Sequence, residues 1–279
     1  MNTLTNYVSS PIVSISRFDH PKFTPHQDPQ EETASDYSIN FIEKGTYSLR
    51  VGTRKWHMSR SDVFITQPGM IFSCRHAEEF PEDVCFSVAY ESQFLIQQNE
   101  WRSLLPKQSG CVVGLNNRLA YLYMRLNQLT ISQADVLEAE TLASDLLIAA
   151  AQRQISGAHK LHNGRQLAWY VERVEAARRL METAHCDSHS LLSLARFTGM
   201  SPFHFARIFR ELTGTPPHRF LMNVRMARAS EMLLDGVSVT ESCFASGFEN
   251  LSHFIRLFKR KFGVSPSRFS YRKVQRPGN

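Results

Sequence analysis

The period of the apolar residues changes along the chain. Between Ser38 and Val88 they come in short runs: Ile39, Phe41 and Ile42; Tyr47, Leu49 and Val51; Trp56 and Met58; Val63–Ile65; Ile71–Cys74; and Val84–Ala89. Lys44-Gly45, Gly52 and Gln67-Pro68-Gly69 punctuate the runs. Short strands separated by turns predict a small barrel or sandwich. From Arg118 to Ile155 the period lengthens. Leu119, Leu122, Tyr123, Leu126 and Leu129 make one helical stripe; Leu142, Leu146, Leu147 and Ala150 make another, after a break near Ser132. Such a pair either caps the barrel or keeps apolar surface for a partner subunit. His20–Asp36 is polar and proline-rich, an irregular loop, and Ser156–Arg165 is small and polar, an interdomain linker. Gln166–Met181 opens the second half, with Trp169, Val174, Ala177 and Leu180 as core candidates.

Beyond that point the pattern is written twice. SPFHFARIFRELTGTPPHRF (Ser201–Phe220) aligns with NLSHFIRLFKRKFGVSPSRF (Asn250–Phe269) at a constant offset of 49, pairing His204 with His253, Phe205 with Phe254, Arg207 with Arg256 and Phe209 with Phe258. An internal duplication decides architecture before any single residue does. Phe205, Ile208, Phe209 and Leu212 fall on one face of a helix that Ser201 caps, Pro202 starts and Gly214 stops. A shorter helix, Leu191–Ala195, leads into it through a turn at Gly199, and Val239–Ala245 does the same through Gly247, with Ser238-Val-Thr-Glu241 as a capping box. Each copy is therefore a helix-turn-helix, the second with one extra turn residue.

The solvent faces of the two second helices carry the candidate chemistry. In the first these are Phe203, Ala206, Arg207 and Arg210; in the second, Asn250, Leu251, Ser252, Arg256, Lys259 and Arg260. A recognition helix offers its N-terminal residues to base edges in the major groove, and Arg is the commonest base-specific donor. Exposed Phe203 and Leu251 suit a thymine methyl. Charge agrees: from Arg165 onward there are 18 Lys and Arg against 9 Asp and Glu, while residues 1–164 hold 14 against 17. All of the chain's net charge of +6, and more, sits in the duplicated half, which points to a polyanion partner.

The runs SLARFTGMSPFHFARIFRELTGTPPHRFL (193–221) and CFASGFENLSHFIRLFKRKFGVSPSRF (243–269), joined by NVRMARASEMLLDG (223–236), resemble the AraC/XylS-type bacterial transcription regulators. The resemblance implies two helix-turn-helix units bridged by a long helix and reading adjacent major grooves. Its base-reading positions fall on Phe203, Ala206 and Arg207 in the first unit and on Asn250, Ser252, His253 and Arg256 in the second. Many relatives carry a long polar side chain where this chain has Ala206. The strand rhythm and the Pro68-Gly69 turn resemble the cupin-like sensor half that many such regulators carry. The family implies a homodimer through the helical pair and admits RNA polymerase as a protein partner.

The expected fold is thus α+β in two domains. A cupin-like β-barrel (1–117) precedes a helical pair (118–155), the linker (156–165) and an all-α DNA-binding domain with two helix-turn-helix units (166–279). The expected partners are double-stranded promoter DNA and a small-molecule effector whose binding residues the pattern does not place. With no signal-like start and no long apolar run, the expectation is a cytoplasmic chain with no membrane partner. In the N-terminal half His26, Asp28, His57 and His76 show no pair at metal-ligand spacing, so neither metal nor cofactor is expected. Cys74 and Cys85 are read as reduced, buried thiols able to meet across two strands, with a redox or thiol-metal sensor as the alternative; Cys111, Cys186 and Cys243 are isolated. Glu78, Glu79, Glu82 and Asp83 read as a solvated acidic loop. No phosphate loop, G-x-S-x-G or H-E-x-x-H occurs, so no enzyme is expected. Two rivals remain: a regulator whose barrel only dimerises or docks a partner, and a cupin enzyme with a nucleic-acid tether.

Overall fold

A computed structural model describes residues 3–20, 31–76, 82–91, 111–131, 135–152 and 161–274. The chain divides into two compact units, Met1–His162 and Asn163–Asn279.

The first unit holds β1 (Thr3–Ser9), β2 (Val13–Asp19), β3 (Glu32–Thr33), β4 (Tyr37–Lys44), β5 (Tyr47–Val51), β6 (Arg54–Met58), β7 (Asp62–Thr66), β8 (Ile71–Arg75), β9 (Val84–Tyr90) and β10 (Val112–Gly114). They form a six-stranded sheet, β1-β2-β9-β4-β7-β10, and a four-stranded sheet, β3-β8-β5-β6, with antiparallel pairing throughout. Gly52 makes the expected hairpin, with Val51 opposite Arg54. Strands β1 and β2 lie upstream of the stretch that reads as β, and β3 lies inside the expected loop. The alternation Val13-Ser-Ile-Ser-Arg-Phe carries the same period as the later strands, and β3 forms only because β8 offers it a partner edge.

One face of the larger sheet is apolar and packs against helices and the other lines a cavity with polar side chains, which explains its alternation. Val13, Ile15, Ile39, Phe41, Val63, Ile65, Phe86, Val88 and Tyr90 are buried. This face meets α1 (Asn117–Ile131) and α2 (Val136–Gln152): Tyr123 stacks between Phe41 and Phe86, and the Tyr90 hydroxyl donates to the Ala143 carbonyl at 2.8 Å. The Tyr123 hydroxyl donates to Glu43, which also pairs with Arg17 at 3.1 Å. Leu119, Leu122, Leu126, Leu142, Leu146 and Leu147 are buried within the single chain. The opposite face of the sheet carries the intervening residues, among them Ser16, Phe18, Ser38, Asn40, Phe64, Thr66, Cys85 and Ser87, which look into a cavity.

The second unit is all helical: α3 (Gly164–Thr183), α4 (Leu191–Phe197), α5 (Pro202–Thr213), α6 (Pro217–Leu234), α7 (Val239–Ala245), α8 (Leu251–Phe262) and α9 (Pro266–Val274). Helix α3 begins inside the expected linker because Asn163 caps it, accepting from the Gln166 N–H at 2.9 Å. Trp169 is no core residue: it is exposed, with the Arg173 guanidinium 3.8 Å from its ring centre, while Leu167, Tyr170, Val171 and Val174 bury the helix. Pairs α4–α5 and α7–α8 are the two helix-turn-helix units, and α6 bridges them. In the first, Ala195, Phe205, Ile208, Phe209 and Leu212 are fully buried. In the second, Met226, Ala229 and Leu233 of α6 pack with Cys243, Phe248, Phe254 and Phe258. Each buried Phe contributes about 1.5–3 kcal/mol, so the shared aromatic core holds both copies in one shape. Ser238 accepts from the Glu241 N–H, the forward half of the expected box; a reciprocal box forms at Ser190 and Ser193 instead. The extra turn residue is Glu249: Met200 and Phe248 donate to Ala195 and Cys243 alike, and the next helix is then capped at once by Ser201 but one residue later by Asn250.

Candidate nucleic-acid interface and sensor cavity

The predicted DNA-facing residues fall on one face of each second helix. On α5, Phe203 is 89% exposed, Ala206 half-buried and Arg207 and Arg210 exposed. On α8, Asn250, Ser252, His253, Arg256, Lys259 and Arg260 are exposed. Leu251 departs from the expectation: it is half-buried and packs on the core that contains Phe254, since the first residue of the helix folds back on α6 and α7. Asn250 spends its side-chain oxygen capping α8, accepting from the His253 N–H at 2.8 Å. The duplicated histidines diverge. His204 lies with its Nε2 3.0 Å from the Tyr170 hydroxyl of α3, whereas His253 faces solvent.

The two helices also differ in charge. Arg207 pairs with Glu211 one turn on, at 3.5 Å. The position equivalent to Glu211 in the second copy is Arg260, so Arg256 has no carboxylate one turn on. Helix α8 ends in Lys259, Arg260 and Lys261; of these Lys261 turns onto α6, where it donates to Asn223 at 3.2 Å and burial lowers its pKa. Arg225 of α6 ties the loop after α3 to that helix, donating to the His185 and Asp187 carbonyls, both at 2.8 Å.

The cavity of the first unit lies between its two sheets and measures about 470 Å³. Polar side chains Ser16, Ser38, Asn40, Thr66 and Ser87 come from the larger sheet, and Tyr47, Phe72 and Cys74 from the smaller. Cys74 and Cys85 stand on different sheets, so they do not meet across paired strands as expected. Burial, with the nearby Asp83 carboxylate, pushes the Cys85 thiol up to about 12, which keeps it protonated. At one end of the cavity His20, His76 and Asp83 converge. His20 Nδ1 and His76 Nε2 each lie 3.0 Å from the same Asp83 oxygen. Burial would raise the Asp83 carboxyl, but hydrogen bonds and charge from the two imidazoles outweigh it and hold the group well below the usual carboxylate range. Asp83 is thus no member of a solvated acidic face. The sequence spacing gave no sign of this cluster, because its members come from the end of β2, the end of β8 and the start of β9. Three-dimensional convergence removes the ground on which a ligand cluster was excluded. His57 is exposed and apart from it, and His26, Asp28, Glu78 and Glu79 lie outside the described residues.

Family profiles match both units: one described as an AraC-like ligand binding domain over residues 13–149, and one described as a helix-turn-helix domain over residues 194–272. The chain belongs to the AraC/XylS-type transcription regulators. Its relatives include an uncharacterized HTH-type transcriptional regulator of Haemophilus influenzae, 24% identical over 86% of this chain and 88% of its own length. The transcriptional activator RhaS of Escherichia coli is 25% identical over 87% of each chain. A crystal structure of ToxT from Vibrio cholerae, bound to an unsaturated fatty acid, is 14% identical, covers 96% of this chain and 98% of its own, and has a TM-score of 0.36. The two matched profiles give this AraC-type regulator a ligand-binding domain and a helix-turn-helix DNA-binding domain. The named relatives are transcription regulators, and among the described residues no helix is long and apolar enough to cross a membrane.

Proposed function

We propose that this regulator reads promoter DNA in the cytoplasm through the N-terminal halves of α5 and α8, under the control of an effector held in the N-terminal cavity. The observation that carries the reading is the duplicated pair of capped helices presenting equivalent exposed faces, Phe203–Arg207 and Asn250–Arg256. Two such helices in one domain enter successive major grooves on one side of the duplex. Arg256 donates to guanine O6 and N7, Arg207 does so after releasing Glu211, and Phe203 meets a thymine methyl. Arg210, Lys259 and Arg260 act on phosphates and supply the salt-dependent part of the affinity.

A cavity of about 470 Å³ with convergent polar groups supports an effector site, being within the range of small-molecule pockets. For a homodimer the support is narrower. The helical stripes are buried within the chain, and among the described residues Ile131, Val136 and Leu137 at the facing ends of α1 and α2 are exposed apolar groups. RNA polymerase is a further proposed partner of the DNA-bound regulator.

The test is a footprint of the full-length protein on the DNA upstream of its own and neighbouring genes, at physiological salt. Protection over about two helical turns with two major-groove contacts one turn apart is expected. Weak, sequence-blind binding that Arg256→Ala leaves unchanged would overturn the reading.

A further inference from the structure

We propose that His20, His76 and Asp83 bind a divalent transition-metal ion at one end of the N-terminal cavity, with coordination positions left open toward the cavity. The inference rests on that cavity being the sensor site and names the chemistry of what it holds.

The first support is convergence. His20 follows β2 and Asp83 precedes β9, neighbouring strands of the larger sheet, and the His20 N–H donates to the Asp83 carbonyl at 3.2 Å. His76 follows β8 of the smaller sheet. One donor atom from each residue lies within 4.8 Å of the others, and both imidazole nitrogens stand 3.0 Å from one carboxylate oxygen. Ligands at about 2.0–2.2 Å from a tetrahedral zinc ion stand about 3.3–3.6 Å from one another, so the two imidazole–carboxylate distances would open by about half an ångström to admit one. The side chains are buried, 7% exposed at His20, 6% at His76 and 4% at Asp83, and Gly45 presses on the Asp83 backbone, where an added Cβ would come within 2.7 Å.

The second support is the sign of the cavity. Among the described residues, Glu32, Asp36 and Asp83 line it, and neither Lys nor Arg does. Such a lining disfavours an anion held by the two histidines alone. Two imidazoles and one carboxylate are a donor set suited to zinc, iron, nickel or manganese, whereas an organic cation gains nothing from imidazole lone pairs. Three protein ligands leave room for water or for an oxygen-donor effector entering from the cavity.

The test is zinc titration by calorimetry of chelator-treated full-length protein, repeated with cobalt to read the ligand-field spectrum. Wild type and the exposed-residue control His57→Gln should each take one equivalent. His76→Gln and Asp83→Asn should weaken binding by about 100-fold or more, since even outer-shell partners of such sites are worth about 10- to 100-fold. Melting curves of the metal-free variants verify that each folds; added zinc should raise the melting temperature of wild type and not that of His76→Gln. Zinc uptake that is equal in all four proteins, or absent from wild type, would overturn the site and reduce the trio to a structural tie between sheets. DNA footprints with and without zinc are read separately. Zinc bound at the trio with unchanged DNA occupancy would leave the metal site standing and remove the cavity from the control of DNA binding.

Discussion

The two copies of the helix-turn-helix use the same turn glycine in different surroundings, and this difference has a measurable consequence. Gly199 and Gly247 both sit at positive φ, +68 and +86, so an alanine at either place meets the left-handed penalty of about 1–2 kcal/mol. A Cβ on Gly199 meets nothing within 4 Å. A Cβ on Gly247 falls 2.8 Å from the His185 carbonyl oxygen, 2.9 Å from Cys186 Cα and 2.9 Å from Arg225 Nε. Two of those are backbone atoms, and the third belongs to the guanidinium that holds the loop through its 2.8 Å bonds to His185 and Asp187. None swings away freely, so Gly247→Ala should cost a further 1–3 kcal/mol, roughly the cost of overpacking a filled site. Gly199→Ala should then lower stability by about 1–2 kcal/mol and Gly247→Ala by about 2–5 kcal/mol. Urea unfolding of the full chain, followed by helical circular dichroism, reads the difference. With a slope of about 1–3 kcal/mol per molar, the two midpoints should lie about 1 M apart. Equal midpoints would refute the reasoning, because the left-handed penalty would then be the whole effect and the packing of the 184–187 loop against Gly247 and Arg225 would have no weight.

Other expectations follow from the same geometry. Arg256→Ala should lose about 1–3 kcal/mol of specific DNA binding and relax preference at one base pair, and Arg207→Ala less, because Arg207 must first leave Glu211; equal losses in competition binding would contradict this. Phe258→Ala should destabilise the second unit by about 3–5 kcal/mol, whereas Phe203→Ala, at an 89% exposed position, should leave melting unchanged and weaken only DNA binding. Thiol labelling of the native protein should reach exposed Cys186 well before Cys85 and Cys243, whose thiols burial pushes up; fast labelling of Cys85 at neutral pH would argue for the redox-sensor alternative. If the ends of α1 and α2 form the subunit contact, Leu137→Asp should shift the sedimenting species from dimer to monomer, and an unchanged dimer would place the contact elsewhere.

The divergence of the copies bears on how the regulator would divide its labour. The exposed face of α8 carries Arg256, Lys259 and Arg260 on a helix with no acid in its sequence, while α5 offers Phe203, Ala206, Arg210 and an arginine held by Glu211. Long-range attraction to DNA would then come mainly from the second unit, and the first would contribute shape and apolar contact, which salt screens little.

Local periodicity and repetition account for the features legible in the chain before folding is considered. The offset of 49 established two helix-turn-helix units, because Phe205 and Phe209 can share a buried face with Gly214 as a stop only in a helix, and Phe254, Phe258 and Gly263 repeat it. The exposed faces followed from the same period, and so did the strands from Ser38 to Val88. Tertiary structure decided what depends on distant partners. Trp169 has the hydrophobicity of a core residue, yet α5 and α6 meet the neighbouring face of α3, so it lies outside with Arg173 over its ring. Leu251 matches an exposed position by count and is drawn inward by the pocket between α6 and α7. The cluster of His20, His76 and Asp83 has no local signature at all: 56 residues separate its two histidines, and only the pairing of β2 with β9 and the facing of the two sheets bring them within reach. Periodicity reports which side of an element is buried; which residues meet across a cavity depends on sheet order, which hydrophobic pattern does not encode.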